Sequence, residues 1–298
     1  MKDILLLTTG VQTESVTAVL NVSIWILIIT GAAVFLAGLI TKNYSHVDRL
    51  WSVLPPVYAV IWGTAFYRYP VFLIPAVLVL LWGARLTFNF ARRGGYAFSI
   101  RKGFTGEDYR WPILREKIGN RFLFELFNLV FITGFQLILI FLFSLPLFLT
   151  GVEAMQGNII LSWFHLLLAL AFLFFLWGET IADNQQYWFQ EAKKSKDFSL
   201  DFNTYGLWQY SRHPNYACEL LQWVTIALYA IVSGADPILA GLGAVLLIIL
   251  FAGSTKMTEN VTLSKYPEYR EWQKITSPWV PGYKTFFRKN DMPDYISG

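Results

Sequence analysis

The chain has one cysteine, Cys218, and three histidines, His46, His165 and His213, among its 298 residues. A lone cysteine excludes an internal disulfide and any cysteine-built metal cluster. The histidines lie far apart with no paired spacing, so no metal site is expected. Charge is scarce too, at 15% of residues with a net charge of +4. Nothing in it resembles a nucleic-acid module, and no nucleic-acid partner is expected. Tandem repeats, low-complexity tracts and interdomain linkers are missing as well, which predicts one membrane domain over residues 1–298 with elaborations between its helices.

What is abundant decides the class. Hydrophobic residues make up 55% of the chain and aromatic residues 17%, and the mean hydropathy is +0.45. Apolar stretches near the length of a bilayer span recur along it, so the chain reads as an all-α integral membrane protein. Seven transmembrane helices are predicted, near Val22–Ile40, Leu50–Phe66, Val71–Phe90, Leu126–Thr150, Ile159–Ala182, Tyr216–Ser233 and Pro237–Gly253. Pro55 and Pro56 interrupt the second and are expected to kink it. The first span is too long for a signal-peptide core and has no small-residue cleavage pattern, so it is expected to be retained. Twenty-one of the 24 Lys and Arg fall on one side of this arrangement. The positive-inside rule then puts the N-terminus outside and the C-terminus in the cytosol, in a bacterial inner membrane or the endoplasmic reticulum.

Polar residues gather at the cytosolic ends of the spans. In Tyr210-Ser211-Arg212-His213-Pro214-Asn215-Tyr216, followed by Glu219, Pro214 suits the first turn of a helix that Ser211 or His213 can cap. Asn215 and Glu219 then share a face, with Arg212 and His213 at a helix mouth whose free N–H groups form an anion site. Arg92 and Arg93 beside Gly94 and Gly95 can grip a phosphate, although positive-inside topology explains the same arginines. Glu179, Asp183, Gln186 and Gln190 form one polar stripe on the fifth span. A carboxylate at membrane depth is costly, so the stripe should face a polar interior; Gln190 alone fits a solvated helix end. The segment with Glu259 and Ser264-Lys265-Tyr266-Pro267-Glu268-Tyr269-Arg270 either closes that interior from below or lies at the interface as an aromatic-anchored helix.

These residues resemble the signature of the steroid 5-alpha reductase superfamily, in particular its bacterial branch of DUF1295-type membrane proteins. The motif Gly206-Leu207-Trp208-Gln209-Tyr210-Ser211-Arg212-His213-Pro214-Asn215-Tyr216 with Glu219 carries the likeness. Val47-Asp48-Arg49-Leu50-Trp51-Ser52, Trp82-Gly83-Ala84-Arg85-Leu86, Ala91-Arg92-Arg93-Gly94-Gly95-Tyr96, Glu107-Asp108-Tyr109-Arg110-Trp111, Glu179-Thr180-Ile181-Ala182-Asp183-Asn184-Gln185-Gln186 and Leu263-Ser264-Lys265-Tyr266-Pro267-Glu268-Tyr269 follow the same order, so the match spans about residues 44–281. The resemblance implies an enzyme that binds NADPH with its part from about 85 to 281 and reduces an activated carbon-carbon double bond of a lipid or sterol-like substrate entering from the bilayer. It implies that Asn215 and Glu219 meet the nicotinamide carboxamide, that Glu179, Asp183 and Gln186 address ribose or adenosine, and that Arg92, Arg93 and Arg212 balance phosphates. Tyr210, His213, Tyr216 and Glu259 complete the expected cofactor set. Hydride transfer needs positioning more than a nucleophile, in keeping with the lack of any Ser-His-Asp pattern.

The chain departs from the steroid-specific pattern. Ala217 and Cys218 stand where an aromatic residue and a glycine are usual, the second helix has no Glu, and Trp82 falls about where a Tyr is expected. The implied substrate is therefore not a 3-oxo steroid. Asp48, Tyr58 and Arg85, with Arg49 beside them, are the candidates for proton donor or substrate polariser. An Arg-His-Pro-x-Tyr motif on a membrane helix also marks isoprenylcysteine and phospholipid methyltransferases, which bind S-adenosylmethionine. A non-enzymatic transporter or receptor is the third reading, although inverted repeats and paired broken helices are not visible.

Overall fold

The structure is a computed structural model that describes residues 2–99, 103–157, 161–195 and 200–282. Ten α-helices carry the described chain: α1 (Lys2–Thr41), α2 (Leu54–Phe66), α3 (Pro70–Arg92), α4 (Arg110–Ile118), α5 (Arg121–Phe127), α6 (Gln136–Met155), α7 (Trp163–Ala192), α8 (Pro214–Val232), α9 (Pro237–Lys265) and α10 (Tyr269–Ile275). The extended backbone among the described residues is a pair of two-residue strands, β1 (Phe98–Ser99) and β2 (Gly103–Phe104), antiparallel with Phe98 opposite Phe104.

Six helical stretches are long and apolar enough to cross a membrane: Glu14–Thr41, Pro70–Arg92, Arg121–Met155, Trp163–Ala192, Pro214–Val232 and Pro237–Lys265. The expected start of the fifth span at Ile159 lies outside the described residues. Arg121–Met155 is α5 and α6 joined through a π-helical segment, Asn128–Phe135. Its wider turn brings the Thr133 hydroxyl onto Asn128 Oδ1 five residues back, at 3.2 Å.

The second expected span differs. The helix begins at Leu54 and runs 13 residues. At about 1.5 Å per residue it covers about 20 Å, less than the roughly 30 Å hydrocarbon core. Pro55 and Pro56 cause no kink, because they occupy the first turn, where a missing N–H costs nothing. Leu50 ends a short 3₁₀ turn, Asp48–Leu50, ahead of it.

The described residues form two compact units, one lying within 1–169 and 226–243, the other within 170–225 and 244–282. In the first, α2 packs against α1, α3 and α6. Trp62 is fully buried there, stacked on Tyr58 at 5.5 Å, and its indole N–H reaches the Ser23 hydroxyl of α1 at 2.9 Å. Gly83 lets α3 lie against the start of α2, since a Cβ there would run into the Pro56 ring and come within 2.8 Å of the Ser52 carbonyl. In the second unit the usual polarity of a soluble helix is inverted. On α7 the exposed side chains include Leu170, Phe174 and Trp177, while Glu179 and Asp183 are buried at 2% and 3% exposure. Apolar residues facing outward and carboxylates inward suit a helix whose solvent is lipid.

Candidate functional site in the second unit

The Arg-His-Pro turn opens α8. Gly206, at φ +63°, starts a 3₁₀ turn (Gly206–Gln209) and lies under the Gln185 side chain, where a Cβ has no room. The Gln185 carbonyl oxygen accepts the Leu207 N–H at 2.8 Å, and the Trp208 indole donates to the Ala182 carbonyl at 3.0 Å. These contacts fix the approach of the turn to α7. His213 supplies the first helical carbonyl, which accepts the Ala217 N–H at 3.1 Å, and Pro214 is the first helical residue.

The turn ahead of α8 is tied to a later segment of the chain. The Arg212 and His213 N–H groups donate to the Ser277 and Pro278 carbonyls at 3.0 and 2.8 Å, and the Ser211 hydroxyl donates to Pro278 O at 3.1 Å. The segment around Ser277 and Pro278 therefore satisfies the donors that lie just before the first helical turn. Arg212 is likewise engaged. Its Nε and Nη2 donate to Glu259 Oε1 and Oε2 at 2.6 and 3.1 Å, and its Nη1 to the carbonyls of Gln273, at 3.1 Å, and Thr276. Glu259 also accepts from His213 Nε2 at 3.1 Å and Gln273 Nε2 at 2.7 Å. One buried carboxylate thus gathers the Arg-His-Pro turn, α9 and α10, so Arg212 is held by protein groups where phosphate balance was expected. The His213 ring stacks on Tyr216 at 5.3 Å, and Tyr216 on Phe251 at 4.8 Å. Tyr210 remains 39% exposed at the end of the turn.

Two rungs of amide and carboxylate join α7 and α8. Asn215 Nδ2 donates to Asp183 Oδ1 at 3.2 Å, and Gln222 Nε2 donates to Glu179 Oε2 at 2.7 Å. The stripe on α7 thus faces inward to its own unit. Further along it, Gln186 Oε1 accepts from Asn203 at 3.1 Å, and Gln190 is exposed. With one N–H spent on Asp183, Asn215 presents its carbonyl: Oδ1 is buried and has no hydrogen-bond partner among the described residues. Glu219, 8% exposed, lies between the rungs on the same face of α8. Cys218, the departure at the usual glycine, has its Sγ 3.1 Å from where a Cβ on Gly178 would be. The small residue that close packing needs here is on α7.

The other expected residues belong to the first unit. The Arg92 guanidinium donates twice to Asn89 Oδ1, at 2.9 and 2.7 Å, and lies over Phe88. Arg93 is exposed at the end of α3. The glycine pair is accounted for by chain reversal: Gly94 takes φ +82°, and Gly95 fits under the Phe90 ring with its carbonyl accepting Arg49 Nε at 2.9 Å. Asp48 accepts the Trp111 indole N–H at 2.9 Å, and burial pushes its carboxyl above the usual carboxylate range against the pull of Arg110. Tyr58 is fully buried, and its hydroxyl has no hydrogen-bond partner among the described residues. Arg85 on α3 is half-buried.

Arg49, one of the polar candidates on the early helices, is tied up in backbone contacts, and sequence reasoning missed two groups, Gln273 and Gln222. Arg49 is buried and bridges the Gly95 and Gly106 carbonyls, the second at 2.9 Å. Gln273 was hidden because its partner is across a turn of chain. Gln222 carried one signal, an amide in an otherwise apolar stretch three residues after Glu219.

Outward apolar faces, buried carboxylates and six helices of spanning length define an all-helical, multi-pass membrane protein. The chain belongs to the DUF1295 family of proteins of unknown function, which it matches over residues 34–276. It is also similar to an uncharacterized protein of Schizosaccharomyces pombe, 34% identical over 267 residues that cover 81% of this chain and 73% of the relative. No solved structure matches.

Proposed function

We propose that the protein is an oxidoreductase of the steroid reductase type, reducing a carbon-carbon double bond in a lipid or sterol-like molecule with NADPH as cofactor. The observation that carries this reading is the α7–α8 ladder, where amides are held by buried carboxylates and Asn215 keeps a buried acceptor oxygen without a partner among the described residues. Such a surface fits the amide and hydroxyl donors of a dinucleotide better than its phosphates. Asn215, Glu219 and Gln186 would hold its polar groups, with Glu179 and Asp183 orienting the amides. NADPH supplies a hydride to one carbon of the double bond, and the other carbon takes a proton. Asp48, Tyr58 and Arg85 stay the candidates for that proton or for polarising the substrate, Tyr58 standing out for its buried, unpartnered hydroxyl. In this reading Leu54–Phe66 is a seventh, short span, the N-terminus is outside and the C-terminus is cytosolic.

The rival is an S-adenosylmethionine-dependent methyltransferase on the same motif. Thermal denaturation of the purified protein with NADPH, with NADH and with S-adenosylmethionine separates the two, since a ligand stabilises the state that binds it. NADPH alone should raise the midpoint clearly, with NADH weaker if Arg92 and Arg93 meet a 2′-phosphate. Stabilisation by S-adenosylmethionine instead would replace the reductase with the methyltransferase, and none by any of the three would favour a transporter or receptor.

A further inference from the structure

Gln222 belongs to no motif, yet both hydrogens of its side-chain amide are held in place within the second unit. The residue has 0% exposure. Its Nε2 makes two hydrogen bonds, to Glu179 Oε2 at 2.7 Å and to the Cys218 carbonyl at 3.2 Å. An amide nitrogen has two hydrogens, so both are used and the side chain cannot be turned over without setting its oxygen against a carboxylate and a carbonyl. Oε1 is thereby fixed as an acceptor, and it has no hydrogen-bond partner among the described residues. Buried carbonyls rarely stay unpaired, because leaving one without a donor is destabilising.

The oxygen does not stand alone. Asn215, Glu219 and Gln222 occur at i, i+4 and i+7, one face of α8. Asn215 presents Oδ1 because its nitrogen is held by Asp183. The row consists of two amide oxygens with a carboxylate between them, so it offers acceptors throughout, and a complementary ligand must bring N–H or O–H donors. A primary amide has two N–H bonds on one nitrogen and can satisfy two neighbouring acceptors at once.

We infer that Gln222 is a specificity residue of the cofactor site, its Oε1 accepting one N–H of the ligand's primary carboxamide while Glu219 accepts the other. The inference rests on the NADPH reading above. It reverses the simplest expectation for Asn215, whose side chain would read a donor on the ligand and not the carboxamide oxygen.

The test is a cycle between protein and ligand. Wild type and Gln222→Met are each titrated with NADPH and with its 3-acetylpyridine analogue, in which a methyl ketone replaces the carboxamide and both N–H donors are gone. Wild type should prefer NADPH by about tenfold or more, the scale of one buried hydrogen bond left unmade. In Gln222→Met that preference should shrink at least fivefold. Gln222→Asn, which keeps both amide donors but draws the oxygen back by a methylene, should lose part of the preference and serves if the Met variant fails to fold. A residue that only braces α7 against α8 would weaken both ligands alike. An unchanged preference in Gln222→Met, or a wild type indifferent to the two ligands, overturns the role of Gln222 and leaves NADPH binding standing. A wild type that binds neither ligand ends both readings.

Discussion

Removing the Glu259 carboxylate should destabilise the second unit strongly. Glu259 accepts four hydrogen bonds, from Arg212 Nε and Nη2, His213 Nε2 and Gln273 Nε2, and both Arg212 and Glu259 side chains are 9% exposed. In Glu259→Ala the guanidinium keeps two backbone carbonyls but loses its counter-charge in a site with little water. Breaking such a buried pair costs about 3–5 kcal/mol, a sizeable part of a net folding stability of roughly 5–15 kcal/mol. At about 2 °C per kcal/mol for a chain this long, the melting midpoint should fall by roughly 6 °C or more. The double variant Arg212→Met/Glu259→Met should recover only part of the loss, because the Gln273 and Thr276 carbonyls also lose their donor. The assay is thermal denaturation in detergent, read by tryptophan fluorescence, with Trp272 and Trp279 close to the affected contacts. A Glu259→Ala midpoint within a degree of wild type would refute the clamp.

Other consequences can be measured independently. Gly83→Ala should destabilise the protein by about 1–3 kcal/mol, since the new methyl meets the Pro56 ring and the Ser52 carbonyl and the start of α2 must shift away from α3; an unchanged midpoint would contradict that packing. His46 donates through Nε2 to Thr41 Oγ1 at 2.9 Å, and burial together with Arg49 holds its imidazole below the ordinary 6.5. Its contribution to stability is present above about pH 6.5 and lost as pH falls through the depressed value, so His46→Gln should flatten the acid side of the melting curve; equal acid sensitivity of both proteins would argue against it. Reporters near Gly103 and after Gly298, the latter outside the described residues, should be cytosolic and one near Gly157 external, and a split between Gly103 and the tail would break the seven-span arrangement.

Much of the second unit was legible because lipid makes polar residues informative. Glu179 and Asp183 had to face inward on α7, and Pro214 had to begin α8, since each has a single low-cost solution. The tie between the turn before α8 and the segment around Ser277 was not legible. The donors of Arg212 and His213 are met by carbonyls more than 60 residues away, at Ser277 and Pro278, and a backbone carbonyl leaves no mark in sequence. The glycine pair misled for a related reason: Gly94 and Gly95 suit a phosphate loop, but a helix end asks for the same freedom. Pro55 and Pro56 misled through register alone, since placing the helix start four residues later turns a kink into a first turn. Gln222 was passed over because its meaning lies in Glu179, on another helix.

The central claim is that the α8 row of Asn215 and Glu219 binds the nicotinamide nucleotide. Its most direct measurement is the NADPH dissociation constant of wild type beside Glu219→Gln and Asn215→Ala, with the midpoint of each ligand-free protein recorded in parallel. The account predicts a loss of tenfold or more in affinity for each variant, with melting close to wild type for Glu219→Gln. Lowered melting with nucleotide affinity intact would make Glu219 a structural partner within the helix layer and contradict the assignment of the site.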